Sequence, residues 1–318
     1  MKYELQSGFA KSIREFIEHR AHMGHSTAEY QNKLANFDRF CREHFSDAST
    51  ITQGIAFAWC DDAKGNGGAG KARAIRCFAR YLLITGEDAY VMPTSFFPQQ
   101  KPKLPVIMND TETQRFFQAT DCYPSSARSP LLEYTVPVIL RLIYACGMRP
   151  QEARCLKRLD FNFRDGTIYV AEGKHNKDRC LPVSENIVNM CEKYDRIVET
   201  INPSRTYFFE SPASSFYKPR WLEAVFDNCW RISGNDVGRG YCTPYALRHN
   251  FATQTLMRWI EEGRNLDAMI PYLSAYMGHE NFSSTYYYIH LLPDRLAKLD
   301  FTKADYIIPE VSEYEEER

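Results

Sequence analysis

Tyr288 stands nine residues after His279, in Met277-Gly278-His279-Glu280-Asn281-Phe282-Ser283-Ser284-Thr285-Tyr286-Tyr287-Tyr288. A phenol is a poor nucleophile near neutrality, because its pKa lies near 10, until a neighbour accepts its proton or stabilises the oxyanion. Three segments upstream hold residues suited to that work. In Tyr144-Ala145-Cys146-Gly147-Met148-Arg149-Pro150-Gln151-Glu152 an apolar helical run (Val136, Ile139, Leu140, Ile143) stops at Gly147, and Pro150 suits the first turn of a new helix. Arg149 then sits at a helix start, where backbone N–H groups favour an anion, and Glu152 is one turn on, able to orient its guanidinium. In Thr167-Ile168-Tyr169-Val170…Gly173-Lys174-His175-Asn176-Lys177-Asp178-Arg179-Cys180-Leu181-Pro182-Val183, two β-prone runs flank a polar tip and predict a hairpin. In Thr243-Pro244-Tyr245-Ala246-Leu247-Arg248-His249, Thr243 and Pro244 form a strong helix start, with Tyr245 and Arg248 on one face.

Together these residue types suit the transfer of a phosphodiester. Arg149 and Arg248 can clamp the nonbridging oxygens bidentately, and a desolvated lysine can serve as an acid. Taken singly, each segment also has a plain structural reading: a surface arginine at a helix start, a solvated hairpin whose Lys174, Lys177 and Arg179 touch phosphates nonspecifically, or helix-packing tyrosines at 286 and 287. The four segments in this order resemble the tyrosine recombinase (integrase) family from about Asn109 to Leu299. That resemblance implies Arg149 and Arg248 as the two arginines of the site and Lys174 as the acid for the leaving 5′ oxygen. It implies Tyr288 as the nucleophile, His279 as its nearest partner, and a 3′-phosphotyrosine with a free 5′ hydroxyl. Neither a nucleotide cofactor nor a metal is then required.

There is one departure. Tyr245 stands where the family most often has histidine, and a phenol cannot make a near-neutral proton transfer as imidazole does. Tyr245 is therefore read as a phosphate contact, and His249 as a structural residue outside the catalytic set. A type IB topoisomerase, or a noncatalytic DNA-binding regulator of the same fold, is the alternative reading.

The elements that must position these residues divide the chain. Residues 1–95 predict four helices, with apolar stripes Phe9/Ile13/Phe16/Ile17, Tyr30/Leu34/Phe37/Cys41, Ile51/Ile55/Trp59 and Ile75/Phe78/Leu82. On the last helix Arg73, Arg76 and Arg80 form a basic ridge suited to phosphates flanking a groove, or else a solvated face. By resemblance this is a helical core-binding domain. Residues 96–108 read as a linker bearing Lys101 and Lys103, since the prolines at 93, 98, 102 and 105 exclude helix and strand interiors. Asn109 and Glu112 suggest a capping box for the first helix of a mixed α/β catalytic domain, 109–310, followed by an acidic tail, 311–318. The fold expected is mainly α with a small β component.

Gly65-Asn66-Gly67-Gly68-Ala69-Gly70-Lys71-Ala72 imitates a phosphate-binding loop, but Ala72 replaces the hydroxyl that would hold magnesium, so it reads as a loop between helices. The chain has 318 residues, 44% of them apolar, and ten cysteines without metal spacing, as expected of a two-domain protein of the reducing cytoplasm. No secretory leader or membrane span is expected. The net charge of −1 combines acidic residues near the end (Glu310, Glu313, Glu315, Glu316, Glu317) with basic surface elsewhere. The partners implied are double-stranded DNA with an inverted-repeat core site, three further copies in a DNA-bound homotetramer, and accessory DNA-binding proteins. A Xer-like or mobile-element integrase is the variety implied.

Overall fold

The computed structural model describes residues 4–61, 67–96, 104–171, 178–237, 242–279, 281 and 283–289. The chain divides into two compact units, Met1–Lys103 and Leu104–Arg318.

The first unit is built from α1 (Ala10–His22), α2 (Ala28–His44), α3 (Gln53–Asp61) and α4 (Gly67–Ile84). Each buries the stripe that its sequence presents: Ile13 and Phe16 from α1, Leu34 and Phe37 from α2, Ile55 and Trp59 from α3, Ile75 and Phe78 from α4. Two polar side chains at this core, Trp59 and Asp38, find partners, as burial demands. The Trp59 indole N–H donates to Asn36 Oδ1 at 2.9 Å, and the Asp38 carboxylate accepts from the Ser7 hydroxyl and the Gln6 and Ser7 amides. The glycine-rich segment differs from its expectation. Gly67–Ala72 is the opening of α4 rather than a loop, and Lys71 donates to the Trp59 carbonyl at 2.9 Å. Packing of α4 against the core outweighs the low helix propensity of Gly67, Gly68 and Gly70.

In the second unit α5 (Asp110–Asp121), α6 (Leu132–Cys146) and α7 (Pro150–Cys155) lead into strands β1 (Phe161–Asn162), β2 (Thr167–Val170) and β3 (Arg179–Pro182). Then follow α8 (Glu185–Ile201), β4 (Glu210–Ser211), β5 (Ser215–Phe216), α9 (Pro219–Ile232), α10 (Tyr245–Glu261), α11 (Leu266–Met277) and α12 (Ser283–Ile289). The architecture is mainly α with two small antiparallel sheets, β1-β2-β3 and β4-β5. Strands β2 and β3 pair Thr167 with Pro182 and Val170 with Arg179, and Lys174 and Lys177 lie outside the described residues.

Helix α6 is the centre of this unit: Val136, Ile139, Leu140, Leu142 and Ile143 are all buried, and it packs against α5, α8 and α10. Asn109 caps α5 as expected. Its side chain accepts from the Glu112 amide at 2.9 Å, while Glu112 accepts from the Asn109 amide at 2.8 Å. Asn250 ties the incoming chain to α10, accepting from the Met108 amide at 2.7 Å and donating to the Val106 carbonyl at 3.1 Å. The start of α10 falls one residue later than the sequence suggested. Thr243 contributes its backbone carbonyl, bonded by the Ala246 amide at 2.8 Å, rather than its side chain.

Gly147 ends α6 in the left-handed region at φ 57°, and a Cβ there would lie 2.3 Å from the Phe251 ring on α10. Both the turn and the close approach require glycine. Gly147→Ala is expected to destabilise the protein by about 2–4 kcal/mol, from left-handed strain plus overpacking; urea unfolding of the full chain measures it.

Candidate active site

Two glycine-terminated helices point their C-terminal carbonyls at the same place. Gly147 closes α6, and Gly278 closes α11 in the left-handed conformation at φ 66°. Such helix ends leave carbonyls unpaired and carry partial negative charge, which suits cations. Arg248, on the first turns of α10 and only 3% exposed, fills the gap: one terminal nitrogen donates to the Gly147 carbonyl and the other to the Met277 carbonyl at 2.7 Å. Arg149 likewise donates to the Gly278 carbonyl.

Glu152 organises the other side. Its carboxylate accepts from the Arg149 guanidinium at 2.7 Å and from the Arg149 backbone amide at 2.7 Å, which caps α7. It also accepts two bonds from Arg179 of β3, at 2.9 and 2.8 Å, in fork-to-fork geometry. Arg179 Nε then reaches the Tyr276 carbonyl at 3.0 Å, and its guanidinium packs so near Gly278 that a Cβ would stand 3.0 Å from it. Arg179, to which the sequence assigned no role beyond a nonspecific phosphate contact in the plain reading of the hairpin, is an internal brace between α7, β3 and α11. Burial tends to raise the Glu152 carboxyl, but the bonds from Arg179 and Arg149 outweigh it and hold the group below its ordinary range.

Three guanidinium groups around one carboxylate leave a surplus of positive charge, which adds to burial in lowering Arg248, His249 and His279. Burial, reinforced by repulsion from Arg149, pushes Arg248 down to about 10. Burial and then the arginines hold His279 down at about 3, and burial and then Arg248 hold His249 at about 4, so both imidazoles are neutral at pH 7. The three cations also make the cleft receptive to an anion with the charge of a phosphodiester. That cleft, about 1030 Å³, is lined by Arg149, Arg248, Tyr245, His249, His279 and Tyr288 among others.

Tyr288 is 3% exposed, its ring packed with Leu256, Ile270, Leu273 and Met277 in a cluster formed by α10, α11 and α12. Burial raises its phenol, with Arg248 pulling the other way. Tyr286 is 41% exposed, its hydroxyl 3.4 Å from Asp267, so of the consecutive tyrosines it is Tyr288 that turns inward. The hydroxyl of Tyr288 meets His249 Nδ1 at 3.2 Å. This differs from the sequence expectation, which paired Tyr288 with His279 and set His249 aside. His279 lies almost parallel to the Tyr288 ring, at 17° and 6.1 Å between centroids, and its Nδ1 is engaged by the hydroxyl of the buried Thr285 at 2.7 Å. The signal for His249 was present in the sequence, next to Arg248 and one helical turn after Tyr245. Thr285, six residues beyond His279, carried no comparable signal.

Residues 107–295 match the phage integrase family. The chain belongs to that family. Among its members, tyrosine recombinase XerD of Pseudomonas putida is 27% identical over 281 residues, covering 85% of this chain and 88% of the relative. An integrase/recombinase by description, y4rE of Sinorhizobium fredii, is 26% identical over 291 residues, covering 90% and 93%. The fold is similar to that of XerH site-specific recombinase bound to palindromic difH substrate in a post-cleavage complex, with a TM-score of 0.62, 19% identity, and 85% and 77% of the two chains covered. It is also similar to Tn1549 transposon integrase in complex with transposon right-end DNA, with a TM-score of 0.60, 13% identity, and 90% and 99% covered.

The structure brings Arg149, Tyr245, Arg248, His279 and Tyr288 to one cleft. Tyr245 is half exposed at its rim. In the first unit Arg73 and Arg80 are exposed on α4, while Arg76 donates to the carbonyls of Met92 at 2.7 Å and Pro93 at 3.0 Å. Part of the expected ridge is therefore spent holding the chain that leaves this unit. Lys101 and Lys103 lie outside the described residues. No helix among the described residues is long and apolar enough to cross a membrane.

Removing the Glu152 charge leaves Arg149 and Arg179 buried without their counterion. Glu152→Gln is expected to cost about 3 kcal/mol at pH 7. Because the folded carboxyl is held low, its contribution is present above the ordinary glutamate value of about 4.3 and fades as pH falls through the folded value. The gap between wild type and variant in urea unfolding should therefore narrow below about pH 4.

Proposed function

We propose that this chain is a site-specific DNA recombinase that cleaves and rejoins DNA through a 3′-phosphotyrosyl intermediate. The observation that carries the reading is the inward-facing Tyr288 hydroxyl beside Arg248 in a cleft of surplus positive charge, within a chain of the phage integrase family. Arg149 and Arg248 clamp the scissile phosphate, each with guanidinium N–H groups left over from its carbonyl bonds. Tyr288 attacks phosphorus; the P–O5′ bond breaks, and Lys174 delivers a proton to the leaving 5′ oxygen. Tyr245, at the rim, donates to a phosphate oxygen. His279, its Nδ1 held by Thr285, supports the phosphate with its other nitrogen. The phosphotyrosine conserves the energy of the broken bond, so rejoining draws on no nucleotide.

In this proposal the first unit is the core-binding domain, with Arg73 and Arg80 of α4 and Lys101, Lys103 and Lys177 against the DNA backbone, Arg76 being engaged by the Met92 and Pro93 carbonyls. Residues 96–108 are the linker, 109–310 the catalytic domain and 311–318 an acidic tail. The target is a duplex with an inverted-repeat core, in keeping with the palindromic substrate of XerH. A homotetramer assembles on it in the cytoplasm, with accessory proteins choosing the outcome. The topoisomerase and noncatalytic readings gain no support from the relatives, which are named as recombinases and integrases over most of their length.

The test is covalent trapping on nicked, partly randomised duplexes, resolved on denaturing gels without metal or nucleotide. Wild type, Tyr286→Phe and Tyr287→Phe should form a protein–DNA adduct, and Tyr288→Phe should form none. An adduct lost only in Tyr286→Phe or Tyr287→Phe would move the nucleophile. Binding without any adduct would favour a noncatalytic protein.

A further inference from the structure

The reading above leaves one step without an agent: something must take the phenol proton of Tyr288. We propose that His249 is that acceptor, supplying from one turn along α10 the imidazole that position 245 lacks. This rests on the recombinase reading.

Four observations converge on it. His249 Nδ1 lies 3.2 Å from the Tyr288 hydroxyl, with ring centroids 5.6 Å apart and planes inclined at 52°, so the nitrogen approaches the oxygen rather than stacking over the ring. His279 does the opposite, stacking on Tyr288 with its Nδ1 committed to Thr285. Tyr245 and His249 are four residues apart on one helix and line the same cleft, so a proton acceptor at 249 works from the face where Tyr245 makes its phosphate contact. Finally, the charge of Arg248 is one of the two things that weaken His249 as a base. A phosphodiester seated on Arg248 neutralises that charge, so His249 becomes a better base when DNA arrives.

The step balances. The Tyr288 O–H bond breaks and its proton passes to His249 Nδ1; the phenolate oxygen bonds to phosphorus; the P–O5′ bond breaks, and the 5′ oxygen takes a proton from the acid assigned to Lys174. In rejoining, the 5′ hydroxyl attacks, and His249 returns its proton to the departing Tyr288 oxygen. A histidine that served only to pack α10 against α12 would leave these proton transfers unchanged as long as the fold held.

Two assays on His249→Gln separate the cases. The first follows adduct formation on a nicked duplex. The second follows joining of a 5′-hydroxyl strand to a DNA end carrying a 3′-p-nitrophenyl phosphate, a reaction that bypasses Tyr288 and whose leaving group departs without a proton. His249→Gln should lose about 100-fold or more in adduct formation while joining activated ends within about threefold of wild type, as should Tyr288→Phe. Adduct formation at the wild-type rate, or an equal loss in both assays, would overturn the proposal. If wild type and Tyr288→Phe both fail to join activated ends, the recombinase reading of the site fails, and this inference falls with it.

Discussion

A single buried carboxylate, Glu152, is shared by two guanidinium groups while a third, Arg248, is held close by on backbone carbonyls. Bringing three such cations together under a protein surface is costly unless each finds partners. The fold supplies them from three directions: the carboxylate on α7, and the carbonyl ends of α6 and α11. The left-handed turns at Gly147 and Gly278, the capped start of α7 and the seat of β3 against α11 all follow from that requirement. Burial, and after it the charge of these arginines, keeps His249 and His279 neutral.

Against this charged side stands an apolar one. Tyr288 sits in a cluster of α10, α11 and α12 residues, so its ring is fixed by packing while its hydroxyl faces the arginines. Burial makes the phenol harder to ionise, and the guanidinium of Arg248 works against that. Position is gained at some expense in acidity, and a proton acceptor at hand must make up the difference if the phenol is to act as a nucleophile.

Much of this was legible in the chain. The apolar stripes of α1 to α4, the stop at Gly147, the Asn109–Glu112 cap and the β2–β3 hairpin follow from periodicity, capping chemistry and β-branched runs, all of which are local. What local pattern could not give was long-range. Arg179 is 27 residues from Glu152 and three from the end of a hairpin, so nothing nearby distinguishes a brace from a surface cation. That His249 rather than His279 meets the Tyr288 hydroxyl depends on which way two rings turn after α10, α11 and α12 have packed. Gly67, Gly68 and Gly70 misled for the opposite reason, since a composition typical of loops was overridden by the burial of α4.

A guanidinium has five N–H groups, all in one plane. In Arg149 and Arg248 the terminal nitrogens facing inward are already taken by Glu152 and by the carbonyls of Gly147, Met277 and Gly278. Only donors on the open side remain for an incoming oxygen, so the clamp has a front and a back. An anion must therefore enter from that open side, so the helix ends that steady the arginines also fix its direction of approach.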